Sequence, residues 1–126
     1  METTDPIDIN VLRAFLDAFN RHDVGEIMSF FGDHPVLDSP RGPDAWGTRA
    51  EGREEVQRLL VKRFEGLPNV HYGEDRHFAC GSRGVSEWLL TGTTGDGKET
   101  RVRGCDLFEF EGGKISRKDS YWKIVE

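Results

Sequence analysis

Cysteine is scarce: Cys80 and Cys105 are the chain's two. Neither stands in a C-x-x-C or similar spacing, so neither a thiolate metal centre nor a disulfide framework is indicated, and reduced thiols in a cytoplasm are the expectation. His22, His34, His71 and His77 show no paired spacing either, and no metal or other cofactor is expected. No apolar run approaches the roughly 20 residues that span a bilayer, so no membrane association is expected. "METTDPIDIN" lacks a basic stretch followed by an apolar one, and no secretory signal is read there. Positive charge is also short. The formal charge of −6 argues against nucleic acid, whose phosphates require a concentrated basic face. "GTTGDG" and "EGGK" lack phosphate-loop spacing and read as turns, and the chain has no repeats or low-complexity segments.

What is present suits one domain over residues 1–126, with 36% apolar and 32% charged residues around a single core. Asp8 or Asn10 caps a helix whose apolar positions Val11, Phe15, Ala18 and Phe19 recur every three to four residues, running to about Arg21. A short second helix follows Asp23, with Ile27, Met28, Phe30 and Phe31 inward. "HPVLDSP" reads as a brief strand ended by Pro40, and "RGPDAWGTRAEG" as a loop whose Trp46 folds over something apolar. Arg53 to about Glu65 gives a third helix with Val56, Leu59, Leu60 and Phe64 on one side, stopped by "GLPN". Four segments of period-two alternation then follow, separated by "GSRG", "GDGK" and "EGG" as hairpin turns. Helices first and strands after is an α+β pattern: a curved antiparallel sheet cupping three N-terminal helices, cone-shaped and therefore hollow.

The hollow gives one acid a particular interest. Along "ETRVRGCDLFEFE", Val102, Gly104, Asp106, Phe108 and Phe110 share a face. Lys118, Ser120, Trp122 and Ile124 share a face of the last strand, so Asp106 and Lys118 can project into one cavity walled by Ser86, Trp88 and Leu90. A protonated Asp106 would donate a hydrogen bond to a carbonyl or oxyanion; an ionised one would pair with Lys118. A solvent-facing acid at a bulge is the plain alternative. Phe15, Phe19, Phe31, Phe64 and Trp88 pack the core or line the cavity. His71 and His77 read as solvent-side or interface residues, with a catalytic base as the less favoured reading, and Arg49 and Arg53 as either a solvated helix start or an attraction for an anionic ligand.

The stretches "HDVGEIMSFFGDHPVLDSPRG", "GREEV" and "DLFEFEGGKISRKDSYWK" resemble the nuclear-transport-factor-2-like cone fold, in its SnoaL-like and ketosteroid-isomerase-like branch, over nearly the whole chain. The resemblance implies a hydrophobic internal pocket. It places Asp106 at the position of the oxyanion-hole acid, which in ketosteroid isomerase is a carboxylic acid kept neutral by its apolar site, and Trp122 at an aromatic wall. Phe15 falls where the family carries an oxyanion-hole Tyr, and Ser39 where it carries a general-base Asp. Asp38, one residue earlier, faces the other side of its strand unless a bulge intervenes. Ser120 falls where epoxide-hydrolase-like members carry an acid.

The implied catalytic set is therefore Asp106, Lys118, Ser39 and Asp38. The implied substrate-binding set is Phe15, Phe19, Phe31, Trp46, Phe64, Trp88, Phe108, Ser120 and Trp122. Two functions fit: an isomerase or cyclase working by acid–base chemistry on a hydrophobic, oxygenated small molecule that is steroid-, polyketide- or terpenoid-like, or a non-catalytic module that binds a ligand or dimerises. Cys105, Leu107 and Tyr121 on the outer sheet face suggest a homodimer.

Overall fold

The structure, a computed structural model, describes residues 6–126; the reading of "METTDPIDIN" falls, over residues 1–5, outside the described residues. Helix α1, Ile9–Asn20, begins where the Asp8 carboxylate accepts from the Asn10 N–H. Its stripe of Leu12, Phe15, Leu16, Ala18 and Phe19 is buried. Helix α2, Val24–Ser29, is capped in the same way by Asp23 on the Glu26 N–H. Helix α3, Arg53–Gly66, buries Val56 and Leu60. No helix among the described residues is long and apolar enough to cross a membrane.

Six strands form one curved, unclosed sheet: β1 Phe31–Asp44, β2 Gly47–Glu51, β3 His71–Cys80, β4 Arg83–Thr93, β5 Glu99–Glu111 and β6 Lys114–Trp122. Their order is β2-β1-β6-β5-β4-β3. Every pairing is antiparallel except β1 with β6, which is parallel. This refines the antiparallel expectation at one seam, where strands remote in sequence have no hairpin to set their direction. Helix α1 packs on β3 and β4, and α3 on β1 and β2, so the helices occupy the concave side.

Three local expectations are corrected. "RGPDAWGTRAEG" is no loop: β1 continues past Pro40 to Asp44 and turns back into β2. Pro40 is tolerated because the β1–β6 pairing ends at Asp38 and the β1–β2 register breaks between Ser39 and Asp44, leaving its missing N–H without a ladder partner to serve. Gly47 makes the return possible. Its φ is +79°, and a Cβ there would stand 1.9 Å from the Ser39 carbonyl oxygen. Next, His77 is not solvent-side. The β3–β4 register shifts between Gly73 and Arg76, and the bulge reverses parity; the His77 ring lies buried between Ser86 Oγ (2.8 Å) and Asp75 Oδ2 (2.6 Å). Ile124, finally, lies beyond β6 and is exposed.

Candidate functional site

Asp106 faces the concave interior and is 3% exposed, like its neighbours of the same parity, Val102, Phe108 and Phe110. The Trp88 indole N–H donates to Oδ2 at 3.0 Å. The Ser120 hydroxyl donates to Oδ1 at 2.5 Å. Lys118 Nζ stands 3.2 Å from the same oxygen and donates to Ser120 Oγ at 2.9 Å. Every polar neighbour of Asp106 is thus a donor, the environment of a carboxylate rather than of a neutral acid. The register builds this cluster: Ser86, Asp106 and Ser120 are cross-strand partners on β4, β5 and β6. The glycine beside the acid is filled space, not open space. A Cβ on Gly104 would lie 2.4 Å from the Tyr121 carbonyl oxygen and 2.6 Å from the Trp88 ring, so glycine is what lets the β6 backbone and that indole approach β5 so closely.

Asp106, Lys118 and Ser120 line a cavity of about 200 Å³ between α3 and the sheet. Phe19, Leu37, Leu59, Leu60, Tyr72, Trp88 and Trp122 supply its apolar wall, and Ser39, Lys62 and Arg63 also reach it. Tyr72 and the α3 cations are the additions that reading the sequence missed. Tyr72 packs edge-on to Trp88 at 4.8 Å and to Phe19 at 5.2 Å. Burial raises its phenol well above the ordinary range, the Arg63 charge opposing and the Asp106 charge reinforcing the shift. The hydroxyl therefore stays protonated at neutral pH and can donate into the cavity. A larger groove of about 430 Å³ near the β5–β6 turn has Asp33, His34, Glu111 and Lys114 in its walls. All four are exposed, so it lacks a desolvated acid.

Of the expected site residues, Asp106, Lys118, Ser39, Phe19, Trp88, Ser120 and Trp122 come together around the cavity. Ser39 arrives with its hydroxyl directed to the carbonyls of Arg41 (3.1 Å) and Thr48 (3.3 Å). Asp38 does not join them. The β1–β2 register runs unbroken from Val36 to Ser39, so Asp38 projects to the opposite face from Leu37 and Ser39. There it is fully buried beneath Arg49, which binds both oxygens at 2.7 and 3.0 Å, and Arg117 at 3.1 Å. Arg49 is thereby engaged, and Arg53 is too, donating to the carbonyls of Met28, Phe31 and Gly32. Neither guards the cavity.

Phe15, Phe31 and Phe108 are core rather than wall: Phe15 sits at 5.5–5.8 Å from the rings of Phe19, Phe30, Phe31 and Phe108. A tyrosine in place of Phe15 would bury its hydroxyl among these rings. Phe64 stacks on His22 at 4.5 Å, outside the cavity lining. Trp46 is 47% exposed at the β1–β2 turn, with the Arg49 guanidinium 4.8 Å above its ring. The hairpin carries it away from the hollow. No group of three or more His, Cys, Asp or Glu side chains is placed to hold a metal ion among the described residues.

The profile of the SnoaL-like domain family matches residues 12–118. No curated protein matches the sequence. Among solved structures, one described as a candidate polyketide cyclase from Xanthomonas campestris pv. campestris is 22% identical, with a TM-score of 0.80 over 90% of this chain and 88% of that one. Another so described, from Pseudomonas putida KT2440, is 19% identical, with a TM-score of 0.81 over 92% and 91%. SalBIII, an epoxide hydrolase/cyclase-like enzyme of pyran ring formation in the polyether salinomycin, is 17% identical, with a TM-score of 0.74 over 91% and 89%. At these identities the likeness is one of fold.

Proposed function

Because the chain belongs to the SnoaL-like family of the nuclear-transport-factor-2-like superfamily, we propose that it isomerises or cyclises a hydrophobic, oxygenated small molecule with its own side chains as acid and base. The observation that carries this reading is the Asp106 carboxylate at the wall of a cavity of mixed polar and apolar lining, beside Lys118, Ser120 and Tyr72. In this reading Asp106 takes a proton from carbon next to a carbonyl. The Tyr72 hydroxyl, helped by the Lys118 ammonium, stabilises the oxyanion that forms. Return of the proton at another atom completes an isomerisation, or follows ring closure, without any oxidant. A cavity of about 200 Å³ lies below the roughly 300–1,000 Å³ of usual ligand sites. That favours one or two buried rings, of polyketide or terpenoid type, over a steroid nucleus.

Deuterium exchange tests it. Compact aryl ketones and cyclic β-diketones incubated with the protein in deuterated buffer should exchange their enolisable protons faster than in buffer alone. Asp106→Asn should slow that exchange by about 10²–10⁴-fold. Exchange no faster than buffer across the panel, or an undiminished rate in Asp106→Asn, would count against catalysis. It would favour the second reading, a ligand-binding module, which draws on the Asp106–Lys118 pairing and on the Ser39 hydroxyl being directed to backbone.

The protein is further read as one domain over residues 1–126 working in the cytoplasm as a homodimer through its convex face. There Phe78, 55% exposed, continues across the sheet to Val85 and Leu107, and Tyr121 is 54% exposed. Light scattering at micromolar concentration should report about twice the 14.3 kDa chain mass. A monomer would refute the dimer.

A further inference from the structure

The charges around the cavity are lopsided. Among the described residues Asp106 is the one carboxylate in its lining and is already held by Lys118, whereas Lys62 and Arg63 stand at the rim. Among the described residues no ion pair engages Arg41, Lys62 or Arg63. In a chain with 23 acidic and 17 basic residues, such an acid-poor rim is the reverse of what overall composition favours. The Arg63 guanidinium carbon lies 4.7 Å from the centre of the Trp122 ring; that of Arg41 lies 5.7 Å from the same ring but lines the adjoining groove, which also holds Glu99. A guanidinium over an indole is held by the ring face while its N–H groups remain free to donate. Arg63 is half-buried on α3 and close enough to Tyr72 to oppose the rise in its phenol pKa. Its charge therefore reaches the ligand space as well as the solvent.

We infer that the cavity takes an acid: a molecule of one or two rings whose carboxylate sits on the Arg63–Lys62 rim while its rings enter between Trp88, Tyr72 and Phe19. The inference rests on reading the cavity as a ligand site and adds the charge of the ligand. A planar carboxylate matches the two-pronged donor geometry of a guanidinium. The inner end of such a ligand then lies at the Asp106–Ser120–Lys118 cluster, so the rim would set which ring atom meets the carboxylate.

A matched pair of probes separates the ideas. Binding of 2-naphthoate and of its neutral isostere 2-naphthamide is measured by calorimetry at neutral pH and low salt. The acid should bind about ten times more tightly than the amide. Arg63→Gln should bring the two within about twofold of each other, and Arg63→Lys, which keeps the charge but loses the fork, should retain only part of the preference. Leu59→Trp, which fills the cavity from α3, should weaken both. Equal binding of acid and amide, still sensitive to Leu59→Trp, would overturn the anion seat and leave the cavity reading standing. Binding of neither probe would overturn both. A preference for the acid that survives Leu59→Trp or Arg63→Gln would locate the anion elsewhere and also overturn the proposal.

Discussion

Lys118→Met should lower the stability of the fold by about 3–5 kcal/mol, the usual cost of removing one member of a buried ion pair. The ammonium and the carboxylate of Asp106 are 3.2 Å apart, and their side chains are only 8% and 4% exposed, so water screens neither. Methionine keeps the length and the contact with Phe19, over whose ring Nζ lies at 5.4 Å, but leaves Asp106 charged with hydrogen bonds only from Trp88 and Ser120. The double variant Asp106→Asn/Lys118→Met should recover most of the loss, because the uncompensated charge is then gone. Urea unfolding of parent, single and double variants measures both numbers. A single variant within about 1 kcal/mol of the parent would show that the pair is not a determinant of the fold.

An effect of similar size is expected at Trp88. The residue is 1% exposed, its ring rests on Gly104 and meets Tyr72 edge-on, and its N–H holds Asp106 Oδ2. Trp88→Ala should cost about 3–5 kcal/mol and enlarge the cavity into the sheet. Trp88→Phe retains most of the volume and removes the donor, so it should cost less, about 1–3 kcal/mol. If both variants unfold at the same urea concentration, volume at this position contributes nothing and the hydrogen bond alone matters. If neither shifts, the indole is not part of the frame that holds the acid.

The fold is legible because its two periodicities occupy different parts of the chain: helical spacing at Val11, Phe15, Ala18 and Phe19, strand alternation from Val102 to Phe110. The same alternation places Asp106 correctly, since β5 pairs with β4 and β6 without a break around that residue. Where the register breaks, alternation misleads. It puts His77 on the wrong side because a bulge changes parity without any residue type that announces it. Pro40 looks like a strand end, yet proline is compatible with a strand wherever the ladder is already open. Tyr72 and Arg63 are legible in principle. Val70 and Tyr72 alternate, and Arg63 extends the Val56, Leu59, Leu60 stripe by its natural spacing. Both escape notice because a polar residue at the margin of an apolar stripe reads as its edge, and only packing shows that the edge borders a hollow. Phe15 and Phe108 show the converse. An aromatic residue on an inward face belongs to core or cavity alike, and which it joins depends on how far α1 leans onto the sheet.

The parallel seam has a bearing on synthesis as well as on shape. The last strand of this sheet in chain order, β6, lies in its interior, between β1 and β5. It alone contributes Lys118, Ser120 and Trp122. Until it is inserted, the β1–β2 hairpin and the β3–β4–β5 meander present two open edges to each other and to any other strand nearby. The contacts that join them bridge some of the longest separations in the chain, the kind that form slowly. A nascent chain that has not yet released β6 therefore has neither a continuous sheet nor a cavity. The site and the closure of the fold are completed in one step.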